Sequence, residues 1–472
     1  MKPEKRIMSE PLSKGAELIF PVEDLSNLGY GVGHAPDGRV IFAAGALPGD
    51  RVRAILIKIT GSYFVARVTE ILSASPFREA DACGAPLSCG GCVYRGLTYK
   101  KELELKENYV RQCFRQAGLP DVKVLPVRST GQTVGYRNKA LYPIAAEESG
   151  ALFGGFFARK SHRVIPADGC VLQPPSFGEI LRDVCSFLTE SGATAYDEKT
   201  GRGLVRHLYL RAGKGSGEVM ACLVINGREL PREADFVRFL RERHPEISTV
   251  VLNRNEKNTN LVLGTEYRTL YGSGVLHDRL CGLSFDIAPA AFYQVNHDAA
   301  ELLYGIAGDC AGLTGRELLL DLYCGAGTIG LSLSHRVRAV VGIEIEPAAV
   351  RNARANAEKN GVRNAAFYCG DAGDTERLLE EAEAARGTLS PDVVILDPPR
   401  RGCDARLLDF LARRRVPKIV YVSCGPDTLA RDAAFLCARG YLPGDLVPVD
   451  LFPRTGHVET VVLMTRTDAG NG

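Results

Sequence analysis

The sequence predicts an α/β protein whose carboxyl-terminal part is a doubly wound domain, and three patterns carry this prediction. Alternating β and α runs over residues 292–472 are typical of a parallel sheet with helices on both faces. Short alternating runs between glycine-rich turns over residues 15–73 predict an OB-like β-barrel. Residues 74–291 contain further β runs and a few helices, so we expect a β-rich α+β central domain.

Composition narrows the class of protein. The 472 residues have room for about three domains, and 45% apolar residues can bury a core in each. The net charge of +2 does not favour a nucleic-acid partner, although local basic patches can. No signal peptide or membrane-length apolar run is visible, so we expect a cytoplasmic protein with no membrane partner. In that compartment the fourteen cysteines are expected to be reduced.

The predicted barrel carries residues suited to nucleic acid. Lys58 and Arg67 supply charge, and Tyr63 and Phe64 supply aromatic faces for stacking. A barrel with a purely structural role fits the same pattern. The size, the position and the GYGVG turn of this region resemble a TRAM domain, which is an RNA-binding module.

A cysteine motif follows the barrel. Cys83, Cys89 and Cys92 lie within ten residues, and the Gly-Gly pair before Cys92 lets the backbone wrap closely around a metal. Cys170, in a turn between two prolines, is the best fourth ligand. Four thiolates suit either zinc or an iron–sulfur cluster, and the spacing leaves both open.

An amphipathic helix is predicted from Thr98 to Gln116, and we expect it to pack on a neighbouring domain. Beyond it the central region has basic edges. One of them, Arg159-Lys160-Ser-His-Arg163, fits a phosphate-binding surface and equally a solvated β-face.

The doubly wound region contains a cofactor pattern. Gly325, Gly327 and Gly330 follow a buried strand, and Glu344 ends the next strand, where it can accept hydrogen bonds from ribose hydroxyls. This geometry serves S-adenosylmethionine as well as NAD. Asp321 suits a cationic amino-acid group and Asp371 suits an adenine amine, so S-adenosylmethionine is favoured.

Cys424 is the candidate nucleophile. The β-branched run Ile419–Val422 predicts a buried strand, and Pro426 suits the first turn of a helix. Cys424 then lies on a loop at the carboxyl edge of the sheet, where the helix N-terminus favours a thiolate. A buried structural cysteine is the alternative.

Several motifs together resemble one family. In order along the chain they are AFYQVN, DLYCGAGTIGLSL, GIEIEPAAVRNARANAEKNG, ILDPPRRG, YVSCGPDTLARD and GHVETVVLM. They are similar to the motifs of the bacterial RNA uracil-5-methyltransferases, which have a class I (Rossmann-like) methyltransferase domain. The barrel and the four cysteines resemble the branch that acts on 23S ribosomal RNA. The related tRNA-directed branch lacks both.

The resemblance implies roles for individual residues. Cys424 is the nucleophile that adds to C6 of uracil, and Glu459 accepts the C5 proton. Gln294 and Asp397 also face the uracil edge. The expected cluster is [4Fe–4S], on Cys83, Cys89, Cys92 and Cys170. The expected S-adenosylmethionine contacts are Gln294, Tyr323, Thr328, Glu344, Asp371 and Asp397.

The expected substrate is a uridine of 23S ribosomal RNA that is flipped out of its stack, with no obligate protein partner. The same chemistry on tRNA is one alternative. The other is a non-catalytic RNA-binding iron–sulfur protein. Cys324, Cys369 and Cys403 have no assigned role.

Overall fold

The computed structural model describes residues 12–86, 88–159, 161–259, 261–386 and 390–467. The chain divides into two compact units. The first contains the residues up to Asp81 together with Cys92–Leu105 and Arg454–Gly456, and the second contains Ala82–Gly91, Lys106–Pro453 and the residues from His457 onward. Within the described ranges, no helix combines the length and the apolar character that crossing a membrane requires.

A six-stranded sheet dominates the first unit. Its strands are β1 (Glu17–Pro21), β2 (Asp24–Leu25), β3 (Tyr30–His34), β4 (Val40–Ala44), β5 (Arg51–Ile59) and β6 (Tyr63–Ser73). They lie in the order β1-β5-β6-β4-β3-β2, and all pairs are antiparallel except β4 with β6. Val52, Ala54 and Leu56 alternate into the core, as the period of two predicts. Closure into an OB-like or TRAM barrel stays a prediction.

Helix α1 (Tyr99–Gln116) belongs to the second unit from Lys106 onward. In that part Val110, Cys113 and Phe114 are buried in the same core as the strands of the carboxyl-terminal sheet. The apolar face recognised in the sequence is therefore the face that packs.

The second unit contains a central seven-stranded sheet. Side chains alternate between two cores, since Leu208 and Leu210 pack under the helices while Tyr209 faces the opposite way. The strand Val205–Ala212 is therefore buried on both faces. The elements of this region are β7 (Lys139–Ala146), β8 (Leu152–Phe157), β9 (Val164–Pro166), α2 (Pro175–Glu190), β10 (Val205–Ala212), β11 (Val219–Ile225), α3 (Glu233–Arg243), β12 (Ile247–Arg254) and β13 (Glu266–Tyr271). The strands lie in the order β13-β12-β11-β10-β7-β8-β9.

The carboxyl-terminal sheet follows a hairpin of β14 (Leu276–Leu280) and β15 (Leu283–Ile287). Its strands and helices alternate, as predicted. They are α4 (His297–Ala311), β16 (Leu318–Leu322), α5 (Thr328–Leu333), β17 (Ala339–Glu344), α6 (Pro347–Lys359), β18 (Ala365–Cys369), α7 (Thr375–Arg386), β19 (Val393–Leu396), α8 (Ala405–Arg413), β20 (Lys418–Ser423), α9 (Pro426–Cys437), β21 (Tyr441–Pro443), β22 (Val447–Val449) and β23 (Glu459–Arg466).

The order of these strands creates the site. They lie as β18-β17-β16-β19-β20-β23-β21, with β22 beside β23. The five strands from β18 to β20 are parallel, and β23 runs antiparallel to β20. Because the chain winds away from β16 in both directions, a crevice is expected at the carboxyl ends of β16 and β19. The prediction of a doubly wound α/β sheet is confirmed.

Candidate active site

Cys424 lies on the loop between β20 and α9, as the sequence predicted. Ser423 accepts a hydrogen bond from the Gly425 amide at 3.1 Å, and the Thr428 hydroxyl donates to the Gly425 carbonyl at 3.0 Å. These local bonds hold the turn, and Pro426 begins the helix. The half-buried thiol therefore stands at the carboxyl edge of the sheet.

The register of two strands places Glu459 beside Cys424. β20 and β23 pair as antiparallel neighbours, and their last rung joins Ser423 to Thr460. Continuing that register by one residue brings Cys424 opposite Glu459. Glu459 is only 4% exposed. Two residues that are far apart in the sequence thus become neighbours at the end of the same strand pair.

The buried, acidic surroundings favour the protonated forms of Glu459 and Cys424. Burial raises the pKa of Glu459 to about 8, and the nearby Asp397 adds to the rise. Burial also raises the pKa of the Cys424 thiol to about 11, with further increases from Glu459 and Asp397. The sequence predicted that the helix N-terminus favours a thiolate, and in the structure burial and two carboxylates oppose that form.

Asp397 completes the acidic cluster. It directly follows β19, and burial raises the pKa of its carboxyl to about 7. β19 lies between β16 and β20 in the sheet, so Asp397 stands at the crevice where the strand order reverses.

A cation and an imidazole, to which the sequence assigned no role, lie beside the cluster. The positive charge of Arg400 opposes the rise in the pKa values of both Cys424 and Glu459. The Arg400 Nη2 donates a hydrogen bond to His457 Nε2 at 3.2 Å. Desolvation and the charges of Arg400, Lys106 and Arg137 lower the pKa of His457 to about 4, so it is neutral and can accept this bond. The sequence could have indicated His457, because it lies two residues before the candidate base Glu459.

The chain that leads to β23 is held by buried polar contacts. Lys106 Nζ lies 2.7 Å from Asp450 Oδ1, and both side chains are almost fully buried. The Tyr136 hydroxyl donates to the Pro453 carbonyl at 2.8 Å, and Asn296 Nδ2 donates to the Leu451 carbonyl at 3.1 Å. The segment 450–453 is thereby tied to three other parts of the second unit.

The glycine loop after β16 forms a cradle around two acids. The amide of Gly325 donates to Glu344 Oε2 at 3.0 Å, and the amide of Gly330 donates to Asp321 Oδ2 at 2.9 Å. A Cβ at Gly330 would come within 2.7 Å of that Asp321 oxygen, so the position requires glycine. The other oxygen, Oδ1, is buried and has no hydrogen-bond partner among the described residues. Burial raises the pKa of Asp321 to about 7.

The remaining predicted cofactor contacts lie around this edge. Tyr323 directly follows β16 in a left-handed conformation, with φ 63°. Together with Asp371 it lines a cleft of about 640 Å³ that extends to Arg401 and Cys403. Asp371 also accepts a hydrogen bond from the Gly373 amide at 2.7 Å.

Thr328 and Gln294 are held by neighbours from other elements. The Thr328 hydroxyl lies 3.1 Å from the Tyr304 hydroxyl at the start of α5. The backbone carbonyl of Gln294 accepts a hydrogen bond from Asn138 Nδ2 at 3.0 Å, and the Gln294 side chain is largely buried. Asn138 comes from the central region, which the sequence gave no reason to connect with this site.

Three of the four candidate metal ligands, Cys83, Cys89 and Cys170, can be related to one another. Burial raises the pKa of Cys170, and the negative charges of Cys83 and Cys89 add to the rise, so these three thiols lie near one another. Cys92 belongs to the other compact unit. In the described part of the chain, no group of three or more His, Cys, Asp or Glu side chains adopts the geometry of a metal site.

The other cysteines near the cofactor edge remain without a role. Cys324 and Cys403 are buried, and burial raises the pKa of each thiol. Cys369 is exposed at the end of β18.

Comparison with known proteins gives consistent matches over most of the chain. The model of the family described as tRNA (uracil-5-)-methyltransferase matches residues 98–467. An uncharacterised RNA methyltransferase from Clostridium acetobutylicum is 36% identical over 97% of this chain and 99% of its own. Another from Halalkalibacterium halodurans is 36% identical over 96% of this chain and 98% of its own.

One solved structure also matches nearly the whole length of this chain. The Pyrococcus abyssi tRNA (uracil-54, C5)-methyltransferase, in complex with S-adenosyl-L-homocysteine, is 25% identical to this chain. The match has a TM-score of 0.75 and covers 95% of this chain and all of the other.

The raised pKa of Glu459 predicts a pH-dependent effect of Glu459→Gln on stability. The folded protein binds this proton more tightly than the unfolded chain, so the contribution to stability is full below about pH 4.5 and is lost as the pH rises through about 8. Glutamine stays neutral at every pH. The melting temperature of the variant, relative to the wild type, should therefore rise by several degrees between pH 5.5 and pH 9, as measured by calorimetry.

Glu317→Gln is the matched control. Hydrogen bonds from Thr314 and from backbone amides lower the pKa of Glu317 to about 2, so it is ionised throughout this range. Its effect on the melting temperature should not change between the two pH values. An equally constant effect of Glu459→Gln would show that the Glu459 carboxyl is not perturbed.

Proposed function

The chain belongs to the tRNA (uracil-5-)-methyltransferase family, and we propose that it methylates C5 of a uridine in 23S ribosomal RNA through a covalent cysteine adduct. That it is an RNA methyltransferase follows from the family. The observation that best supports the proposed mechanism is the strand register that sets Cys424 opposite Glu459, with Asp397 close enough to both to raise their pKa values.

The first step needs a nucleophile, because C5 of uracil is too electron-poor to attack a methyl donor. The Cys424 thiol first loses its proton to solvent. The thiolate sulfur then forms a bond to C6, and the electrons of the C5–C6 double bond move into an enolate, which makes C5 nucleophilic. Asp397, whose pKa lies near neutrality, can donate a hydrogen bond to a uracil carbonyl in its protonated form. Gln294 is the second donor in this proposal.

S-adenosylmethionine, when bound, supplies an electrophilic methyl group on a positively charged sulfur. The cradle fits such a cation, because Asp321 has an unpaired buried oxygen and Glu344 adds negative charge. The residues proposed to hold it are Gln294, Tyr323, Thr328, Glu344, Asp371 and Asp397. A cation among these acids also favours the ionised forms that the reaction needs.

Glu459 completes the reaction. After C5 gains its methyl group, Glu459 removes the C5 proton, the C5–C6 double bond re-forms and the bond from Cys424 to C6 breaks. A base is most effective when its pKa lies near the working pH, and a value of about 8 satisfies this requirement. Its burial keeps water from competing for the same position.

The target uridine must leave its stack to reach Cys424. The proposed RNA is 23S ribosomal RNA, because the four cysteines and the amino-terminal β region resemble the branch that acts on it. Methylation of tRNA is the second candidate, and it is favoured by the whole-chain likeness to a tRNA enzyme.

A [4Fe–4S] cluster on Cys83, Cys89, Cys92 and Cys170 is part of the same proposal. The donor chemistry fits, because Cys83 and Cys89 lie close enough to Cys170 to raise its pKa and thiolates are the usual ligands of such a cluster. Gly90 and Gly91 let the ligand loop turn closely. The cluster is proposed to shape this loop, and no step of the reaction uses it.

The methylation proposal predicts transfer of labelled methyl groups to unmodified 23S ribosomal RNA and not to unmodified tRNA. Cys424→Ala should abolish the transfer, because the proposed adduct is formed by the Cys424 sulfur. Cys437→Ala, a half-buried cysteine at the opposite end of α9, should retain it. Transfer to tRNA alone would favour the second candidate, and undiminished transfer by Cys424→Ala would refute the mechanism.

A gel assay for the covalent adduct separates the proposed roles of Cys424 and Glu459. Glu459→Gln should accumulate a protein–RNA adduct that survives denaturing gel electrophoresis, since the C5 proton cannot leave. The double variant with Cys424→Ala should form no adduct.

The cluster proposal predicts a brown protein after anaerobic purification, with about four iron atoms per chain and broad absorption near ~400 nm. Cys170→Ser should lose both signals, whereas Cys310→Ser, a half-buried cysteine on α4, should keep them. A colourless wild-type protein that contains zinc would contradict the proposed metal.

A further inference from the structure

A cleft of about 610 Å³ lies between residues 88–91, called here the cysteine loop, and the connection from β8 to β9. The two sides are joined through the backbone. Cys89 pairs with Ala158 as an isolated antiparallel bridge, and the Arg159 amide donates to the Ser88 carbonyl at 3.1 Å. A Cβ at Gly90 would lie 3.3 Å from the Arg159 Cα, so the glycine allows this close approach. The cysteine loop and the connection thus form one surface within the second unit.

Aromatic rings form one wall of this cleft. Phe156 turns inward and packs against Tyr142, with ring centroids 5.3 Å apart. The next residue along the strand, Phe157, points outward and is 36% exposed. Its ring lies 5.3 Å from the exposed imidazole of His162. The Glu198 carboxylate lies 2.7 Å from His162 Nδ1 and orients that ring.

Basic residues follow the aromatic wall along the chain. Arg159 lines the cleft, and Arg163 is exposed just before β9. No acidic side chain in the described ranges forms an ion pair with Arg163. The carboxylate of Glu198 is already engaged by His162. Lys160, which the sequence grouped with these residues, lies outside the described residues.

We propose that this cleft binds one unpaired nucleotide of the RNA substrate, with its base stacked on Phe157 and its phosphate next to Arg159 and Arg163. Every base has a π-face, so an exposed aromatic ring with adjacent arginines is the usual way to hold single-stranded RNA without reading its sequence. The inference rests on the proposed function only in taking RNA as the substrate. It identifies a second contact, away from Cys424, that anchors RNA to the central region.

The connection also couples this contact to the cysteine loop. Because Cys89 and Ser88 bond directly to residues 158 and 159, displacement of the loop would displace the aromatic wall. Binding of the nucleotide therefore depends on the same backbone contacts that position the candidate ligand Cys89.

The test is the affinity of the full-length protein for a fluorescent oligouridylate of about twelve nucleotides, measured by anisotropy. Phe157→Ala should weaken binding about tenfold, which is the loss expected for one stacked base. Phe157→Trp should restore it. Tyr267→Ala is the matched control, because Tyr267 is similarly exposed at the opposite edge of the same sheet. Unfolding temperatures show whether each variant is folded.

Salt dependence tests the phosphate contact separately. Arg163→Ala should reduce the slope of log Kd against log salt concentration by about 0.7, as expected when one single-strand phosphate contact is lost. Arg228→Ala, an exposed arginine near the opposite edge, should leave the slope unchanged.

The outcomes distinguish this inference from the proposed function. If the wild type methylates RNA and Phe157→Ala raises KM about tenfold with kcat unchanged, both stand. If the wild type methylates no RNA, the proposed function fails while the oligouridylate measurement still reports on the cleft. Unchanged affinity in Phe157→Ala, together with an unchanged salt slope in Arg163→Ala, would overturn the inference.

Discussion

The pairing of β20 with β23 is the contact on which the site depends. Each strand alone delivers an ordinary residue, a loop cysteine on one side and a strand-end glutamate on the other. Because side chains alternate along a strand, a slip of one residue would turn Glu459 to the opposite face of the sheet. Both strands are almost completely buried, so the cores on their two faces specify the register strongly. The chemistry is therefore a consequence of how the sheet packs.

The same packing brings together several acids in a place that water scarcely reaches. Such a cluster lowers stability wherever the acids are ionised, and that cost is common at sites that must handle protons. Once ionised, a carboxyl group with a pKa of about 8 is a strong enough base to accept the C5 proton during the reaction. Arg400, held by His457, partly offsets the negative charge without cancelling it. The charges around the site thus raise the pKa of Glu459 to a value that suits a base. They also disfavour ionisation of the Cys424 thiol, which a neighbouring cation must offset.

Local patterns in the sequence predicted the local features well. The run before Cys424 is a buried strand and Pro426 opens a helix, because these depend on neighbouring residues alone. Glu344 does meet the glycine loop, since consecutive parallel strands end at the same edge. What the sequence could not predict depends on distant residues. The rise in the pKa of Cys424 comes from burial and from acids on other strands.

The proximity of Cys424 to Glu459 can be measured directly through the reactivity of the thiol. Alkylation of Cys424 by iodoacetamide, followed by mass spectrometry as a function of pH, reports its pKa. At the alkaline pH where this thiol ionises, Glu459 is ionised too and opposes the thiolate. Glu459→Gln should therefore shift the alkylation profile of Cys424 to lower pH while leaving that of Cys437 in place. An unchanged Cys424 profile would mean that the two groups do not share a site, and the account would be contradicted.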